Sequence, residues 1–82
     1  MNVKRIIDLM GGATSVARIL GIKTPSVHGW IVDDSIPRGR LIEFGALLEE
    51  KSGGEITRKD LFPNDWQRIW PELAEQEGVA NA

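Results

Sequence analysis

Residues 13–32, ATSVARILGIKTPSVHGWIV, decide the fold. The stretch divides at Gly21 into two short helical segments. Ala17 and Gly21 are small where two helices must cross closely, and Val16, Leu20, Ile22, Val27 and Trp30 are apolar where the pair must bury a face. This is the spacing of a helix-turn-helix, whose second helix lies in the major groove of DNA. Gly21 is expected to take positive φ at the end of the first helix. Thr24 suits the N-cap of the second helix, with Pro25 at its first position, where a missing N–H loses no hydrogen bond.

If Val27 and Trp30 point inward, the opposite face of the second helix carries Thr24, Pro25, His28 and Gly29, with Ser26 and Lys23 at its edges. These are the candidate base-contacting residues: Thr24, Pro25, Ser26, His28 and Gly29. Hydroxyls donate or accept and are short enough for close approach. The imidazole of His28 reaches a purine N7 or a phosphate, and the apolar surface of Thr or Pro meets a thymine methyl. An exposed glycine weakens a helix, so Gly29 has two explanations: close approach of backbone to DNA, or a helix held by its tertiary contacts despite the glycine. Lys23, Arg18, Arg38 and Arg40 are candidates for phosphate contacts, which add affinity without sequence information; the alternative for each is solvated surface charge. Asp33 and Asp34 stand against this reading, because a carboxylate at a helix C-terminus meets an unfavourable dipole and a nearby phosphate would repel it. Capping of the turn into the next helix, away from DNA, is the alternative for that pair.

Outward from the motif, Asn2 suits the N-cap of a first helix with Val3, Ile6, Ile7 and Met10 in an i, i+3, i+4, i+7 rhythm that Gly11 and Gly12 stop. A fourth helix is expected from Pro37 to about Lys51, lined by Leu41, Phe44, Gly45 and Leu48, with Gly53-Gly54 as its stop. Thr57-Arg58-Lys59-Asp60 has the form of a capping box, opening a short helix that ends at Pro63. A last turn or two runs from Asn64 to Trp70, and the acidic residues 71–82 are expected to form a flexible tail. Residues 1–70 thus make one helix-turn-helix domain with its motif at 13–32. Trp66, Ile69 and Trp70 share a side, which either covers the core or serves self-association or a partner, since aromatic anchors dominate such interfaces.

Composition narrows the function. The chain has 82 residues and a net charge of −2, but the charge is divided: residues 1–40 hold six basic and three acidic side chains, and residues 41–82 hold four and nine. The basic half is the half with the motif, and local potential governs phosphate binding. Cysteine is absent and His28 is the sole histidine, which excludes disulfides, thiolate ligands and the usual metal sites. Neither an apolar run of about 18 residues nor a secretory h-region with a cleavage site occurs. The expectation is a cytoplasmic protein without cofactor, small-molecule ligand or membrane partner. Ser15, Ser26 and His28 form no triad with any acid, so an enzyme is not expected.

The segment GGATSVARILGIKTPSVHGW, followed by IPRGRLIEFGALLEEKSGGEITRKDLFPNDW, resembles the Cro/YdaS-like helix-turn-helix regulators of phages and prophages. In that group a G-x-x-x-x-x-A-x-x-L-G-I-x-x-x-x-V-x-x-W pattern forms the motif and an I-P-x-x-R segment leads into the fourth helix. A G-G-x-(IV)-(TS)-x-x-(DE)-L-x-P stretch with a downstream Trp completes the pattern, and the resemblance covers about residues 3–66. It implies an all-α, compact five-helix domain like the lambda repressor and Cro, acting as a Cro-type or antitoxin-like repressor. Such a repressor binds double-stranded operator DNA, with base contacts at Thr24, Pro25, Ser26, His28 and Gly29 and Arg40 near the backbone. Two half-sites about 34 Å apart require two copies, hence a homodimer or higher homo-oligomer. The competing expectation is a helical interaction module, an antirepressor or adaptor, acting through the Trp66/Trp70 face.

Overall fold

The computed structural model describes residues 1–75 and is all-helical, with no strand among them. Its helices are α1 (Val3–Leu9), α2 (Ala13–Leu20), α3 (Thr24–Asp33), α4 (Arg38–Lys51), α5 (Arg58–Leu61) and α6 (Trp66–Ile69), and residues 71–75 are helical again. This is more than the five helices expected. Phe62 to Asp65 form a turn around Pro63 that splits the region after α4 into two four-residue helices. Pro71 then begins a helical turn rather than ending the ordered chain, since proline is tolerated in a first turn. Half-buried Leu73 packs against the core, which holds this turn in place. Residues 76–82, the rest of the expected flexible tail, lie outside the described residues.

The core is assembled from one face of each long helix. Val3, Ile6, Ile7 and Met10 come from α1 and its C-cap, Val16 and Ala17 from α2, Val27 from α3, and Leu41, Phe44 and Leu48 from α4. Ile36, Phe62 and Trp70 close it. These are the positions that the helical period marks as inward-facing, so burial of one stripe per helix drives the assembly.

Local capping fixes where each helix stops. The Asn2 side chain accepts from Arg5 N at 3.1 Å at the start of α1. Thr57 and Asp60 form a reciprocal capping box at the start of α5, with bonds of 3.1 and 3.0 Å. At Gly21, which has φ 68°, Ile22 N donates to Ala17 O at 2.9 Å and Gly21 N to Arg18 O at 3.3 Å, a Schellman motif that turns the chain within three residues into α3. The same motif ends α3, where Ser35 N donates to Trp30 O and Asp34 N to Ile31 O. There the left-handed residue is Asp34 (φ 50°), the only non-glycine with positive φ among the described residues.

Asp34 earns this conformation through a long-range contact: its Oδ1 accepts from Val3 N at 3.0 Å. The carboxylate therefore caps the N-terminus of α1, where the helix dipole favours an anion. It does not cap the turn into α4, as the sequence suggested.

A second clamp joins α4 to the C-terminal part. Arg58 N and Nη2 donate to the two carboxylate oxygens of Glu49 at 2.8 and 3.1 Å, and Arg58 Nη1 lies 3.8 Å from Glu72. The hydrogen bond from the Arg58 backbone N–H, seconded by the guanidinium, holds the Glu49 carboxyl below its ordinary pKa against the cost of burial. The Arg58 guanidinium also lies 5.8 Å from the Trp70 ring. Trp70 in turn packs on Phe62, with ring centroids 5.7 Å apart, and over Gly45, where an added Cβ would sit 2.9 Å from its Cζ2. The helix-weakening glycine in α4 is thus a seat for the indole.

Candidate nucleic-acid interface

α2 makes its broadest contact with α3. Val16, Ala17 and the fully buried Val27 belong to one core cluster, against which Trp30 and Ile31 pack half-buried. The remaining face of α3 is free. Pro25, Ser26, His28 and Gly29 are exposed, and Thr24 is half-buried. The structure therefore brings the base-contact candidates together on one helix face, with Thr24 at its inner margin.

The start of α3 differs from expectation. Lys23, in an extended conformation, is the N-cap of α3, Thr24 is already helical, and no side chain caps this end. Pro25 accordingly sits one residue deeper in the first turn, where its absent N–H is still without consequence. Gly29 has nothing within 4 Å of a Cβ built on it, so no packing neighbour requires a glycine there.

The six cations of residues 1–40 divide into two sets. Lys4 pairs with Asp8 at 3.0 Å, Arg5 with Glu55, Arg38 with Asp65 at 3.4 Å and Arg40 with Glu43 at 3.0 Å. Arg38 also lies 4.8 Å from the Phe62 ring centre, which directs its guanidinium toward the turn after α5 although the side chain stays 57% exposed. Arg18 and Lys23 are exposed and have no ion-pair partner among the described residues. Lys23 immediately precedes α3 and Arg18 stands in the last turn of α2, so the two unpaired cations of residues 1–40 flank the free helix face. Asp65 also receives Arg68, whose hydrogen bond holds the carboxyl below its ordinary pKa.

Of the two acids at the end of α3, Asp34 is committed to Val3 and Asp33 is exposed. The aromatic candidates separate. Trp70 is buried in the core and presents no surface to a partner. Trp66 and Ile69 are half-buried, with Lys59 Nζ 4.5 Å from the Trp66 ring centre.

One exposed residue escaped the sequence reading. Val32 is 84% exposed. It lies seven residues after Pro25 and three after Gly29, a spacing that places it on the same stripe, and that period was the signal that could have found it.

Residues 3–69, from α1 through α6, match the family described as bacterial toxin YdaS. The chain belongs to the YdaS family. The matched span of this YdaS-family chain holds the α2–α3 pair and both its free cations; Trp70 and helical residues 71–75 follow it, although Trp70 is part of the core. Comparison with curated proteins and with solved structures returns no match. Among the described residues no group of His, Cys, Asp or Glu could hold a metal ion, and no helix is long and apolar enough to cross a membrane.

Proposed function

We propose that this YdaS-family protein is a sequence-specific DNA-binding transcriptional regulator, a Cro-type or antitoxin-like prophage repressor. In this reading α2 and α3 form a helix-turn-helix, and α3 enters the major groove of operator DNA. The observation that carries it is the exposed outer face of α3, formed by Pro25, Ser26, His28, Gly29 and Val32 with Asp33 at its C-terminal end, and flanked by Arg18 and Lys23, which have no ion-pair partner among the described residues. A recognition helix needs such a face to approach base edges, and flanking cations supply phosphate contacts.

Thr24, Pro25, Ser26, His28 and Gly29 face the bases, and Arg18 and Lys23 carry the phosphate contacts. Arg40 joins them by exchanging its partner, because an exposed ion pair with Glu43 contributes only about 0–1 kcal/mol. Asp34 ceases to oppose the reading, since its carboxylate is directed to α1. The family is described as a bacterial toxin, which names an effect and no molecular activity, so the reading rests on the geometry of α3. A chain this small binds paired half-sites as a homodimer. The rival interaction module loses its principal anchor with the burial of Trp70.

The test is selection from a randomised duplex library, followed by affinity measurement across salt concentrations. The expected result is a short palindromic consensus with affinity falling steeply as salt rises. Absence of enrichment at low salt would overturn the proposal.

A further inference from the structure

α3 reads TPSVHGWIVD and contains no Arg, Lys, Asn or Gln. Those are the side chains that make bidentate contacts with guanine and adenine. Ser26 and His28 offer single hydrogen bonds, and Asp33 accepts only from a cytosine amino group. The base-edge feature left for strong discrimination is the thymine C5-methyl, which is read by apolar contact.

Val32 has the chemistry for that contact. It is the most exposed large apolar side chain among the described residues, at 84%. Pro25, Gly29 and Val32 follow i, i+4, i+7 and form one stripe, about 10 Å long at ~1.5 Å per residue. Gly29, between the two apolar ends, leaves open space where a side chain would hold the helix off the groove. A protein partner fits this stripe poorly, because it bears no aromatic or Arg anchor. The unpaired Arg18 and Lys23 complement phosphates.

Resting on the DNA-binding reading above, we propose that Val32 is a specificity-determining residue that recognises a thymine methyl group in each half-site. Pro25 supports it from the other end of the stripe, about three base-pair steps away.

The experiment takes the selected duplex and replaces each dT singly by dU, which removes only the methyl. Binding of the full chain and of Val32→Ala is measured by fluorescence anisotropy at fixed salt, with circular dichroism confirming that the exposed substitution leaves the fold intact. Burial of one methyl corresponds to about fourfold in affinity. The expected result is one position per half-site where dU weakens the wild type by about that factor, while Val32→Ala is weaker on the parent duplex and indifferent to dU there. Specific binding with every dU substitution neutral, or Val32→Ala that keeps the wild-type methyl sensitivity, overturns the role of Val32 and leaves the DNA-binding reading standing. Failure of the wild type to select any duplex overturns both.

Discussion

Gly29→Ala separates folding from DNA contact in a single substitution. Gly29 lies inside α3, outside the left-handed φ region, and a Cβ built on it meets nothing within 4 Å. The folded state therefore accepts alanine without strain, and the helix gains the propensity difference of about 0.8–1.0 kcal/mol. For a domain of this size that raises Tm by about 4–6 °C, read by thermal denaturation. DNA binding should move the other way. If the α3 backbone approaches the base edges at Gly29, the new methyl enters a packed interface, where overfilling costs about 1–3 kcal/mol. That corresponds to roughly 5- to 150-fold weaker binding of the selected duplex. A more stable variant with impaired binding is the expected pair of results. A variant that is more stable and binds as tightly as the wild type refutes the close approach, and a less stable variant refutes the account of α3 packing.

Three further outcomes follow from the tertiary contacts. Gly45→Ala should lower stability by about 1–2 kcal/mol in urea denaturation, because its Cβ would lie 2.9 Å from Trp70 Cζ2; Trp70→Phe, which removes that part of the ring, should make the alanine better tolerated in the double mutant. Asp34→Ala should cost about 2 kcal/mol through loss of the Val3 cap and alanine's poorer fit to the left-handed backbone, whereas Asp34→Asn, which keeps the acceptor, should cost much less; equal losses would contradict the capping role. Glu49 has a lowered pKa in the folded chain, so its stabilising contribution is complete above the unfolded glutamate value of about 4.3 and is lost as pH falls through the folded value. Glu49→Gln should therefore be less stable at pH 7 and lose less stability between pH 5 and 3; parallel wild-type and variant curves would count against the Glu49–Arg58 clamp.

The helical signals in this chain are mostly local, which is why they could be read from the residues alone. Asn2, Gly21 and the Thr57–Asp60 capping box act within a few positions along the chain, and their geometry follows from side-chain chemistry and backbone sterics. The buried stripe Leu41, Phe44, Gly45 and Leu48 follows from helical period, as does the inward direction of Val27. Even the outer face of α3 was legible up to Gly29. Val32 lies beyond the N-terminal turns that a recognition helix presents to base edges, and only the helical period carried to the end of α3 puts it on the same stripe as Pro25 and Gly29.

By itself, then, the sequence determined an all-helical chain, the boundaries of its long helices and the pairing of α2 with α3. Only the tertiary structure decided what the charges and aromatic rings do. Asp34 meets Val3 across 31 positions, Arg5 meets Glu55 across 50 and Arg38 meets Asp65 across 27, and no local pattern encodes such pairs. Of the six cations in the basic half, those long-range contacts occupy Arg5 and Arg38, the local pairs with Asp8 and Glu43 occupy Lys4 and Arg40, and Arg18 and Lys23 are left beside α3. Trp70 was ambiguous as a sequence feature because an aromatic residue serves a core or an interface equally well. The seat at Gly45, formed only when residues 25 positions apart meet, places it in the core.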